Sequence, residues 1–250
     1  MARACIFCHR TPVTNEHVFS RKWLTALMPD ATSLTTQVAR GNWGDLKETT
    51  YRQHPKDPGR VWTGSPAISC ACATCNSGWM NTLDERVKPA ITPLARGEHG
   101  TVSTPAVQLL ATWATKIALV LDTNHRVISP TVKHSFRNKP HPPAGFTAWL
   151  GAMSPADEAV RVLGADFGPF PDTTRGKAFV ATFRVLHLVG QVVYAPPHVA
   201  MRRGSEFTKG MERIWPRNEK LVWPPPEAWW LENEDEFTYL AQVFEGARKS

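Results

Sequence analysis

The chain lacks the features that mark a secreted or membrane-anchored protein. No apolar segment follows Met1-Ala2-Arg3-Ala4-Cys5, and the longest hydrophobic stretch is broken by Lys116 and several threonines, so neither a signal peptide nor a membrane span is expected. Cysteine is scarce and odd in number, five in 250 residues, which does not suit a disulfide framework. A chain this long needs no crosslinks to build a core. The expected setting is a reducing cytoplasm, where cysteines serve as metal ligands or free thiols. Acid is the minority charge: 29 Lys and Arg stand against 22 Asp and Glu, a net +7. The excess is +4 over residues 1–100, +7 over 101–221 and −4 over 222–250, a basic body with an acidic tail that suits a polyanionic partner. Repeats and low-complexity tracts are also missing. With 42% apolar and 20% charged residues, the composition is that of a globular protein with a sizeable core.

What is there divides into an N-terminal part, residues 1–100, holding all the cysteines, and a remainder, 101–250, of unassigned role. From Pro105 to Asp122, Leu110, Trp113, Ala114, Ile117 and Leu121 fall on one helical stripe, with Thr104 and Pro105 as a start signal. Residues 140–173 are interrupted by Pro and Gly around one strand at 146–153. Further strands are expected at 179–188 and 191–194, parted by Gly190. The Trp/Pro-rich segment from Trp215 to Pro226 reads as an irregular cover, followed by a short acidic helix near 234–246. The fold class is α+β.

Cys5-Ile-Phe-Cys8 and Cys72-Ala-Thr-Cys75 both have the spacing at which a tight turn aims two thiolates at one tetrahedral ion. The 63 intervening residues do not forbid a shared site. Lengthening a flexible loop from about 17 to about 63 residues costs only about 1 kcal/mol, against roughly 10–16 kcal/mol from a structural zinc in peptides. One closed zinc site on Cys5, Cys8, Cys72 and Cys75 is expected. A redox pair would need a thioredoxin-like surround that neither motif has. Cys70 reads as a small buried residue, or else a spare ligand, and His9 as a replacement ligand of lower weight. A shared ion would also bring Asn15-Glu16-His17 next to Asn76. Glu and Asn oxygens suit Mg²⁺ or Mn²⁺, leaving the imidazole to act as a base.

Cys5-x2-Cys8, Glu16-His17 and Cys72-x2-Cys75-Asn76 together resemble the HNH endonucleases, the ββα-metal or His-Me finger family, in its zinc-knuckle form. The resemblance covers roughly residues 4–90. The run Cys75-Asn76-Ser77-Gly78-Trp79-Met80 with Leu83-Asp84 is similar to a bacterial and phage subgroup. It implies a hairpin and a following helix bound by structural zinc, His17 activating water, and Glu16 and Asn76 holding a catalytic Mg²⁺ or Mn²⁺. It further implies DNA as partner, with RNA as the alternative nucleic acid, and products with 5′-phosphate and 3′-hydroxyl ends. The helix is expected over about 76–87, ending before Pro89.

The sequence departs from the family pattern in three places. Glu16 replaces the more frequent Asp or His, Asp84 or Glu85 stands at the last ligand position, and an insertion runs near 20–62. The departures at Glu16 and at Asp84 or Glu85 motivate an alternative, a catalytically inactive zinc-stabilised module that binds nucleic acid or protein. Asn76 could equally cap its helix. Trp23, Trp79 and Met80 read as core, with Arg21 and Lys22 on a solvated face. Lys133-His134, Arg137, Lys139 and Arg202-Arg203 are candidates for phosphate contacts.

Overall fold

The computed structural model describes residues 3–29, 34–42, 45–53, 67–153, 160–167, 176–196 and 210–225. The expected acidic helix near 234–246 and the Arg202-Arg203 pair lie outside them.

Strand β1 (Val13–His17) is antiparallel to β4 (Ala67–Cys72), with a register shift between Thr14 and Asn15. Between them run helix α1 (Arg21–Leu27) and strands β2 (Leu34–Asn42) and β3 (Asp45–Gln53). After β4, the short helix α2 (Ala73–Cys75) passes through a wide turn at Asn76–Met80, kinked at Gly78 (φ −90°, ψ −112°), into α3 (Asn81–Ala95). The expected stop before Pro89 is corrected: α3 runs through Pro89 and Pro93. A proline interrupts the ladder locally, but the buried stripe that holds Leu83 and Val87 before Pro89 continues through Ile91, Leu94 and Ala95 after it. Tertiary packing decides the helix end.

Strand β5 (Gly100–Val102) precedes α4 (Thr104–Leu121), with Pro105 in its first turn as expected. From Leu110 to Leu121 every α4 residue is buried. By length and composition α4 is apolar enough to cross a membrane, yet 72% of it is buried inside the protein. Helix α5 (Pro130–Asn138), whose first turn Ser129 caps by accepting from Val132 N, has no counterpart in the sequence reading.

The main sheet has seven strands in the order β10-β6-β9-β8-β7-β2-β3, where β6 is Phe146–Ala152, β7 Val160–Phe167, β8 Ala178–Val185, β9 Leu188–Tyr194 and β10 Met211–Trp215. Neighbours are antiparallel except β2 with β7, which run parallel. Strands β7, β2 and β3 go beyond the sequence reading, as do β10 and β11 (Leu221–Trp223), the latter paired with β5 where an irregular cover was expected. Gly190 does not separate strands. The turn falls at Leu186-His187, with Leu186 at φ 52°, and Gly190 lies within β9, where a Cβ would collide with the Phe183 ring.

Phe179, Ala181 and Phe183 face the large core, whereas Ala178 and Val180 join Ala165 and Val193 in a smaller cluster, as alternation along a strand requires. Trp113 on α4 meets Phe183 at 5.3 Å, Phe19 at 5.9 Å and Trp23 at 6.2 Å between ring centroids, so α4 is the axle between the β1–β4 hairpin and the main sheet. One core cluster reaches from Cys5 to Trp223.

Candidate metal centre and the adjoining strand

Cys5 Sγ, Cys8 Sγ, Cys72 Sγ and Cys75 Sγ lie within 4.8 Å of one another. Cys8 Sγ is 3.5 Å from Cys72 Sγ and 3.6 Å from Cys75 Sγ. Four thiolates about 2.3 Å from a tetrahedral ion stand about 3.8 Å apart, so the donor set fits such an ion. The N-terminal turn is held to the hairpin through Ile6 N donating to Cys70 O at 2.9 Å, and is closed by Cys5 N to Arg10 O at 2.9 Å. Burial pushes the Cys75 thiol up to about 12 and the Cys5 thiol above its usual range. Although burial opposes it, the Cys75 backbone N–H and the neighbouring thiols bring Cys72 down to about 7. A cation relieves the cost of crowding thiolates in such a place.

Cys70 stays outside the sulfur cluster, 1% exposed in the core, with burial raising its thiol to about 12. His9 is exposed, at φ 61°, and is not among the clustered donors. Trp79 packs between Phe7 and Phe136 at 5.1 and 5.7 Å, and Met80 is fully buried.

Strand β1 carries the other singled-out residues, and its alternation sorts them. Asn15 is exposed, Glu16 is 3% exposed and His17 is half-buried. Successive side chains of a strand leave by opposite faces, so Glu16 enters the core while Asn15 and His17 share the outer face. Asn76 Nδ2 donates to Thr14 Oγ1 at 3.1 Å and to Asn15 O at 3.2 Å. The amide therefore pins the helical segment to β1, a positioning contact reached across the hairpin.

In the interior, Glu16 meets Lys116. Lys116 Nζ is 2.8 and 3.0 Å from the two carboxylate oxygens of Asp84 and 3.5 Å from Glu16 Oε1, and Trp113 Nε1 donates to Asp84 Oδ1 at 3.1 Å. Burial pushes the Glu16 carboxyl up to about 7, with Lys116 opposing and Asp84 adding to the rise. Burial would also strip the Lys116 proton, but Asp84 and then Glu16 outweigh it and hold the amine above its usual range. Sequence reasoning treated Lys116 only as an interruption of an apolar run. The signal was available: lysine is almost never fully buried unless paired, so one inside a core helix announces carboxylates nearby.

A second buried pair, Lys133 with Asp122 at 2.7 Å, removes Lys133 from the set of free phosphate contacts. His134 Nδ1 is 3.1 Å from Phe7 O, and Arg137 Nη1 donates to Asn138. Beside the cysteine turn opens a cleft of about 660 Å³ whose lining includes Arg3, His9, Ser69, Asn124 and Arg126. Ser69 donates to Asn15 Oδ1, which joins this cleft to the outer face of β1.

Compared with known proteins, the chain matches no family model, no curated protein and no solved structure.

Proposed function

We propose that the chain is an endonuclease of the HNH kind that hydrolyses phosphodiester bonds in nucleic acid, DNA in the first place, with His17 as general base. The observation that carries this reading is the sulfur cluster, which joins the start of the chain to the start of the helical segment. Around it, a strand bearing His17 on its outer face is pinned by an amide from that segment. In this reading Cys5, Cys8, Cys72 and Cys75 hold a zinc that is structural, since four protein ligands leave no open position.

A neutral imidazole takes a proton from water readily near neutral pH. His17 is half-buried at the end of β1, where water can reach the outer face. The basic cleft, with Arg3 and Arg126 exposed on it, offers charge to the phosphate backbone. Ser69 and Asn15 bridge that cleft to the strand of the base.

The family resemblance also asks for Mg²⁺ or Mn²⁺ on Glu16 and Asn76. As placed, these residues do not fit that ion. Glu16 faces an ammonium in the core, and Asn76 turns its nitrogen, a donor, toward β1.

The same Glu16–Lys116 contact favours a second reading, a zinc-stabilised module that binds nucleic acid or protein without cutting. Incubation of the purified chain with plasmid DNA, with and without divalent ions, separates the two. His17→Ala is expected to lower nicking at least about 100-fold while leaving the unfolding midpoint unchanged. Undiminished nicking by His17→Ala overturns the assignment, and plasmid binding with no nicking in any divalent ion establishes the binder.

A further inference from the structure

Glu16 on β1 and Asp84 on α3 reach one buried point from two elements. Two carboxylates that converge away from water require a cation or a proton between them. We propose that this cation is built into the chain: the Lys116 ammonium, delivered from the middle of α4, fills the space between Glu16 and Asp84, so that this carboxylate pair recruits no divalent ion.

The coordination supports an ammonium in detail. Lysine has three donors, and three carboxylate oxygens lie at 2.8, 3.0 and 3.5 Å from Nζ, hydrogen-bond distances throughout. Asp84 Oδ1 also accepts from Trp113, so the indole fixes the carboxylate toward α4. Mg²⁺ demands oxygens at about 2.0–2.1 Å and keeps several waters. Here Lys116 is fully buried and Glu16 and Asp84 are 3% and 8% exposed, so the carboxylates present almost no surface to bulk solvent from which such a shell would be completed. The ammonium cannot easily withdraw, because every α4 residue around it from Leu110 to Leu121 is buried. Charge balance agrees. One ammonium neutralises Asp84, and Glu16 relieves the remaining excess by holding its proton to a higher pH than usual.

This inference concerns the carboxylate pair alone and stands whether the chain cuts nucleic acid or only binds it. It is tested on the full, zinc-loaded chain by titrating Mn²⁺ and following the paramagnetic resonance of the free ion, for the natural sequence, Glu16→Gln, Lys116→Ala and the double variant. The natural sequence and Glu16→Gln are expected to bind Mn²⁺ equally weakly, within about twofold. Lys116→Ala is expected to gain one site at least tenfold tighter, abolished when Glu16→Gln is added. A Mn²⁺ site in the natural sequence that Glu16→Gln removes overturns the proposal. So does a folded Lys116→Ala chain that binds Mn²⁺ no better than its parent. Should Lys116→Ala fail to fold, the first comparison still decides.

Discussion

A carboxyl group kept 3% exposed beside another carboxylate resists ionisation even with an ammonium opposing that resistance, and for Glu16 the consequence is a stability that depends on pH. Its ordinary value of 4.5 rises to about 7 on folding. The folded chain therefore holds a proton that the unfolded chain has already lost, and the associated stability is full below about pH 4.5 and gone above about pH 7. The shift corresponds to about 3 kcal/mol. Urea unfolding across this window is expected to show a shallower decline with rising pH for Glu16→Gln than for the natural sequence; parallel declines would show that Glu16 does not titrate there. At this scale the sequence was half legible. The Glu16-His17 adjacency marks a strand with two chemically distinct faces, and the cysteine spacing marks the sulfur cluster. Which face meets the core depended on Lys116, 100 positions away, and no local pattern around Glu16 encodes that contact.

Helix α4 links the carboxylates of two other elements. Removing its ammonium while leaving Glu16 and Asp84 in place strands buried charge, so Lys116→Met is expected to cost about 3–5 kcal/mol in denaturant unfolding. Adding Glu16→Gln and Asp84→Asn should recover much of that loss; no recovery would mean that packing of the lysine stem, not charge, is what the variant disturbs. Within β9, Gly190→Ala forces a methyl group against Phe183 and is expected to cost about 1–3 kcal/mol by overpacking, a loss that Phe183→Leu should lessen. Elements with one strong period were readable: α4, β6 and much of β8 and β9 fall where the sequence puts them. Elements whose existence rests on distant partners were not. Strand β7 needs β8 and β2 beside it, and α3 outlasts two prolines only because its buried stripe continues to Ala95. Gly190 read as a break because a glycine that makes room for an aromatic ring is indistinguishable, in sequence, from one that makes a turn.

For the molecule as a whole, the large core cluster from Cys5 to Trp223 ties the sulfur cluster to α3, α4 and the main sheet. Elemental analysis is expected to find one zinc per chain, and a chelator is expected to lower the unfolding midpoint of the entire chain in one cooperative step, with an unfolding free energy smaller by roughly several kcal/mol. A midpoint unmoved after the metal has gone would show that the four cysteines do not depend on an ion. The division of the chain near residue 100 followed composition, with cysteines on one side and apolar strands on the other. Burial follows contacts instead, and strands from both sides share one sheet.

The parallel pairing of β2 with β7 carries a cost during synthesis. β2 emerges from the ribosome more than a hundred residues ahead of β7, and until the later strand arrives, the β2–β3 ribbon presents an open backbone edge to whatever is near. Non-local parallel pairing is slow to form, and open edges invite association between nascent chains. Cutting the gene near its middle would make that exposure permanent, so an isolated first half is expected to clump rather than behave as a free-standing module.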